Sequence, residues 1–141
     1  MSRDKADTYI LDTSALLTFI EDENGSDIVN DLLFRAENGE IRIYLAFISI
    51  TEVYYITLQE KGKVEALRRT GLIQSLAVQI EESSEVLNLR AGNLKANNRI
   101  SLADAYIAAF CMLNDGILVH KDPEFEKLSP MVEEQRLPYK T

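Results

Sequence analysis

A single cysteine, Cys111, leaves this sequence without an internal disulfide, and a single histidine, His120, denies it the imidazole set of a multi-histidine zinc site. Tryptophan is absent. Six glycines are scattered along the chain, none in a run that would cradle phosphate. Basic charge is scarce: 15 Lys and Arg stand against 23 Asp and Glu, for a formal net charge of −8. Broad nonspecific binding of nucleic acid draws on basic residues that displace counterions from phosphates, so a grip of that kind is excluded. No apolar run approaches the roughly 20 residues of a membrane helix, and the opening "MSRDKADTY" lacks the apolar stretch of a secretory leader. Cytoplasmic residence without membrane contact is the expectation.

What is present suits one soluble domain over residues 1–141, with 46% hydrophobic and 27% charged residues and no repeat or linker. "TYILD" (8–12) reads as a strand ending at an acid, and "TSALLTFI" as a helix with Leu16, Leu17 and Ile20 on one face. "ENGS" is a turn. "DIVNDLLFRAENG" is a helix with Ile28, Leu32 and Leu33 inward and Gly39 as its stop. "EIRIYLAF" (40–47) alternates as a second strand. In "SITEVYYITLQEKG", Ser49 and Glu52 have capping-box spacing, and Val53 and Ile56 continue a helix to about residue 61.

"KVEALRRTGLIQSL" predicts a further helix and "AVQIEE" (77–82) a third strand. "SSEVLNLRAGNLKANN" (83–98) predicts a long helix with a stripe through Val86, Leu89 and Leu94. "RISLADAYIAAF" (99–110) is a largely apolar helix opened by Ser101, with Cys111 just beyond as a small core residue. "GILVHKD" (116–122) is another strand ending at an acid, "PEFEKL" starts a helix at its proline, and a short strand is expected around Val132. Strands alternating with helices predict a three-layer α/β/α sandwich around a mostly parallel sheet of four to five strands.

Four acids stand where such a sheet opens its crevice. Asp12 and Asp122 end strands, while Glu52 and Asp104 lie in first helical turns. Each has a plain alternative: Asp12 and Asp122 as N-caps, Glu52 and Asp104 as the acids of boxes with Ser49 and Ser101. Capping does not select one edge of a sheet, whereas a metal site does. Clustered carboxylates hold protons near neutrality unless a cation sits among them, and Mg²⁺ or Mn²⁺ prefers such oxygen ligands. An acidic site of this kind commonly serves phosphoryl transfer. Lys61, Lys63, Arg68, Arg69, Lys95, Arg99 and Lys121 are candidates to hold substrate phosphates, with a solvated face as the plain alternative.

The ordered segments "YILDTSALL", "ISITEVYYI", "RISLADAYIAAF" and "ILVHKDPEF" resemble the four acidic motifs of the PIN domain family, over nearly the whole chain. Size and layout look most like the VapC-type toxins of toxin–antitoxin pairs, which are Mg²⁺- or Mn²⁺-dependent ribonucleases. The resemblance implies that Asp12, Glu52, Asp104 and Asp122 form the catalytic and metal-binding set, with Ser14 as a polar support. It also implies an RNA substrate, a small antitoxin partner, and a homodimer or higher oligomer held by apolar helix faces. The tyrosines of "EVYYI" serve either such contacts or the core. His120 stands where the family often has Thr or Ser; a lone strand histidine reads as structural, with phosphate contact as the alternative.

Other readings remain beside this one. A PIN-like nuclease of RNA processing and a noncatalytic PIN-like module that binds RNA or protein share the same motifs. A receiver-like phosphoacceptor needs an Asp at the end of a middle strand, where "AVQIEE" offers Glu, and "DTS" lacks the second aspartate of a haloacid-dehalogenase-like phosphatase.

Overall fold

The apolar run predicted as the first strand forms β1 (Thr8–Leu11), buried except for a half-buried Tyr9, as a strand covered on both faces requires. The computed structural model describes residues 8–140; the polar residues before Thr8, on which most of the leader expectation rests, and Thr141 lie outside the described residues. β2 (Arg42–Ala46) and β4 (Ile117–His120) flank β1. β3 (Gln79–Glu81) extends the sheet beyond β2, and β5 (Glu133–Arg136) extends it beyond β4. The order is β3-β2-β1-β4-β5, and every pairing is parallel.

Alternation along the strands divides the core in two. Ile10 and Leu118 belong to one cluster, packed with α5 (Glu85–Asn97) and α6 (Leu102–Leu113). Leu11, Val119, Ile43 and Leu45 belong to the other, packed with α1 (Thr13–Ile20), α2 (Ser26–Glu37), α3 (Phe47–Lys61) and α4 (Lys63–Gln74). The result is the expected three-layer sandwich. Gly116 lets β4 start close to β1: a Cβ there would lie 2.4 Å from Ile10 Cδ1 and 3.3 Å from the Thr8 carbonyl oxygen.

Two local expectations are corrected and two are refined. α3 begins at Phe47 directly after β2, so Ser49 lies inside the helix and cannot cap it, and Glu52 is the sixth residue of the helix rather than part of its first turn. The inward stripe of α5 runs through Leu87, Ala91 and Leu94; Leu94 was expected, but Val86 and Leu89 are exposed. "PEFEKL" forms a 3-10 helix, Pro123–Leu128. The last strand begins one residue after Val132, whose side chain is buried in the core.

The chain builds the sheet outward from β1 through β2 to β3, then returns to β1's other side for β4 and β5. Strand order therefore reverses between β1 and β4. In parallel sheets a crevice opens beyond the carboxyl ends of the strands at that reversal. Asp12 follows β1 at once, and Asp122 lies two residues past β4.

Candidate metal centre

Asp12 extends the ladder of β1, its N–H donating to the Val119 carbonyl at 3.1 Å, and caps α1. Its Oδ1 accepts from the Ala15 N–H at 2.9 Å and the Ser14 hydroxyl at 2.7 Å. Asp12 is 2% exposed. Burial pushes its pKa up to about 7 against the bonds from Ser14 and Ala15, with the charge of Asp122 adding to the rise. Ser14 also accepts the Lys121 N–H at 2.8 Å, so one hydroxyl links Asp12 to the chain leaving β4.

Asp104 enters from the first turn of α6. Ser101 does cap that helix, accepting the Asp104 N–H at 3.1 Å. The Asp104 carboxyl is buried, and its pKa rises to about 8, first through burial and then through the charges of Asp122, Asp12, Glu52 and Glu124. Those causes place all four expected acids in one electrostatic neighbourhood. Glu52 reaches it without a capping box: Thr13 Oγ1 lies 2.5 Å from Glu52 Oε1 and 3.1 Å from the buried Ser49 hydroxyl.

Asp122 caps the 3-10 helix, its Oδ1 accepting the Glu124 N–H at 3.0 Å. Among the described residues, carboxylate oxygens of Asp104, Asp122 and Glu124 lie within 4.8 Å of one another. Asp12 and Glu52 stand beside this triad rather than in it. Sequence reasoning missed Glu124; the available signal was an acid two residues after a strand-end acid, across a proline that begins a helical turn. Three carboxylates with no nitrogen or sulfur partner make a donor set suited to a hard divalent cation.

His120 does not face the crevice as a phosphate contact. It is fully buried, its Nδ1 accepts the Asp122 N–H at 3.1 Å, and its Nε2 lies 2.7 Å from Glu134 Oε1. Several expected phosphate holders are likewise engaged within the fold. Arg69 is buried against Glu21 and Glu65, which also pairs with Arg68; Lys121 Nζ bonds the Asn24 carbonyl, and Lys95 Nζ the Ile100 carbonyl. Lys61, Lys63 and Arg99 are exposed. Tyr54 is half-buried and Tyr55 exposed. Beside the acids lies a cleft of about 370 Å³ bounded by Ser14, Glu21, Glu23, Lys121, Asp122 and Lys140.

The sequence model of the PIN domain family matches residues 9–129. A search of curated protein sequences found no match. Among solved structures, the chain is similar to VapBC2 of Rickettsia felis bound to promoter DNA, at 20% identity and a TM-score of 0.75, covering 93% of this chain and 99% of that one. VapBC-1 of nontypeable Haemophilus influenzae is similar at 20% identity and a TM-score of 0.68, over 92% of this chain and 97% of that one. VapC20 of Mycobacterium tuberculosis, a toxin that cleaves the sarcin–ricin loop, is similar at 13% identity and a TM-score of 0.66, over 86% and 95%.

Proposed function

The chain belongs to the PIN domain family, and from that membership we propose that it is a metal-dependent endoribonuclease, the toxin of a toxin–antitoxin pair. The observation that carries this reading is the meeting of Asp104, Asp122 and Glu124 oxygens within 4.8 Å of one another at the sheet's reversal point. Toxin–antitoxin proteins among the similar structures, and a toxin that cleaves the sarcin–ricin loop, support the substrate and partner. The proposed setting is the cytoplasm.

Asp12, Glu52, Asp104 and Asp122 are the proposed catalytic and metal-binding acids, joined by Glu124, with Mg²⁺ or Mn²⁺ as the cofactor. When bound, such an ion supplies a water activated for attack on phosphorus and positive charge against the charge gathering on the phosphate. The chain's own part is placement. Ser14 orients Asp12, Thr13 meets Glu52, and Ser101 sets the helical turn that carries Asp104. A cation held by these acids would also offset part of the net charge of −8 that otherwise sets an acidic protein against a polyanionic substrate. Exposed apolar side chains on α3 and α4, among them Tyr55, Leu58, Val64 and Leu67, offer surface for a homodimer or for the antitoxin.

The test is cleavage of a defined RNA with Mg²⁺ or Mn²⁺ and with chelator. Asp12→Asn and Asp104→Asn are expected to lower the rate by more than about a hundredfold, beyond the usual cost of losing an outer-shell partner, while circular dichroism stays unchanged. Cutting by the variants at the unaltered rate, or full activity in chelator, would overturn the reading.

A further inference from the structure

The end of β4 holds an arrangement that the four acids do not require. His120 is the last residue of the strand, has no exposed surface, and packs its ring 5.0 Å from that of Phe125. Its Nδ1 accepts a backbone N–H, from Asp122. An accepting Nδ1 carries no proton, so in this arrangement the ring proton belongs on Nε2, which faces Glu134 Oε1 at 2.7 Å.

Glu134 is well placed to hold that tautomer. It lies on β5, its side chain is 6% exposed, and it receives bonds from the Ser129 hydroxyl and from Arg136 Nε at 3.2 Å. Burial alone would raise its pKa, yet the bonds from Ser129, His120 and Arg136 keep the carboxyl below its ordinary range. It therefore stands as an acceptor. A continuous chain of bonds runs from Ser129 through Glu134 and His120 to the Asp122 amide.

We propose that His120 is a positioning residue: through Nδ1 it fixes the backbone of the Asp122-Pro123-Glu124 turn, and Glu134 on the edge strand fixes the imidazole. The consequence for the centre is local and specific. The turn carries two of the three clustered carboxylates, and Asp122 Oδ1 is tied back to the Glu124 N–H. One bond to the Asp122 amide thus sets the start of a turn whose proline has already restricted its rotation. The chain uses β5, remote in sequence from Asp12 and Glu52, to hold the mouth of the crevice.

The role in metal binding rests on the function proposed above; the role in holding the Asp122 amide does not. Two substitutions separate the two ring nitrogens. In His120→Asn, Oδ1 takes the place of Nδ1 and can accept the Asp122 N–H as in an Asx turn, while the link to Glu134 is lost. In His120→Gln, the longer side chain can reach Glu134 but presents no acceptor at the δ position. Hydrogen exchange of the Asp122 amide, ¹⁵N spectra of the ring, and titration with Mn²⁺ alone are measured on the full chain.

The unaltered protein is expected to give the Nε2–H tautomer and a protected Asp122 amide. His120→Asn retains that protection and binds Mn²⁺ within about twofold of it, whereas His120→Gln loses protection and binds about tenfold or more weakly, as loss of an outer partner does. Unchanged protection and affinity in His120→Gln overturns the proposal. So does equal loss in both variants, which would make the ring a space-filler. If the unaltered protein binds no Mn²⁺, the metal-centre reading falls, and retention or loss of Asp122 protection across the two variants still decides the role of His120.

Discussion

Thr13 has one hydroxyl proton and two acceptors within reach, Glu52 Oε1 at 2.5 Å and Ser49 Oγ at 3.1 Å. The shorter contact goes to the carboxyl, so this buried hydroxyl carries the link between the start of α1 and the first part of α3. Thr13→Val keeps the shape and removes the donor. Burying acceptors without their donor costs about 1–3 kcal/mol, and a loss of that size is expected in urea unfolding, with Thr13→Ser recovering most of it. Cleavage is expected to fall about tenfold in Thr13→Val, because Glu52 loses the bond that orients it. Unchanged stability and rate would mean that Ser49 and Glu52 find other partners. His120 teaches the complementary point at this scale: an isolated imidazole near a crevice was compatible with phosphate contact, and its two internal bonds assign it elsewhere.

At the scale of elements, legibility followed periodicity and failed where packing overrides it. β1 and β4 were plain because apolar runs of that length, each ending near an acid, fit strands covered on both faces. α6 was plain too, since Ser101 is a true cap with an apolar run behind it. α5 was misread because its inward side is built on Ala91 between Leu87 and Leu94, while Val86 and Leu89 are larger apolar residues left at the surface. Apolar identity does not report burial by itself. The box at Ser49 failed for another reason: β2 passes into α3 with no loop, so a capping signature fell a turn inside the helix. Glu124 escaped because its place depends on the turn after Asp122 rather than on any period. The two serines should respond differently. Ser101→Ala removes a cap and is expected to cost about 1 kcal/mol in denaturant unfolding, with Ser101→Asp restoring it. Ser49→Ala removes no cap; what it removes is the 3.1 Å contact with the Thr13 hydroxyl, so its effect should instead vanish in a Thr13→Val background, where that hydroxyl is absent.

The whole molecule gathers acids where its sheet reverses, and its stability should record that gathering. Folding raises Asp12 from 3.8 to about 7 and Asp104 from 3.8 to about 8, in both cases chiefly by burial. Between about pH 4 and pH 8 the folded chain holds protons that the unfolded chain has released. These two groups therefore favour the fold most at the acidic end of that window and lose their contribution as pH rises through 7 and 8. Glu65, lowered to about 2 by Arg68 and Arg69, and Glu134, lowered by Ser129, His120 and Arg136 against its burial, act in the opposite sense. Their contribution fades as acid protonates them. Without metal, the melting temperature is expected to peak in mildly acidic buffer and to decline toward pH 8. Asp104→Asn should flatten the alkaline decline, because its amide has no proton to lose. A divalent cation binds the deprotonated carboxylates and stabilises the folded state by mass action, so the gain in melting temperature with Mn²⁺ should be larger at pH 8 than at pH 5.5. Differential scanning calorimetry across pH, with Mn²⁺ and with chelator, measures both slopes. An alkaline decline that persists in Asp104→Asn, or a Mn²⁺ gain independent of pH, would show that the buried carboxyls do not govern the response.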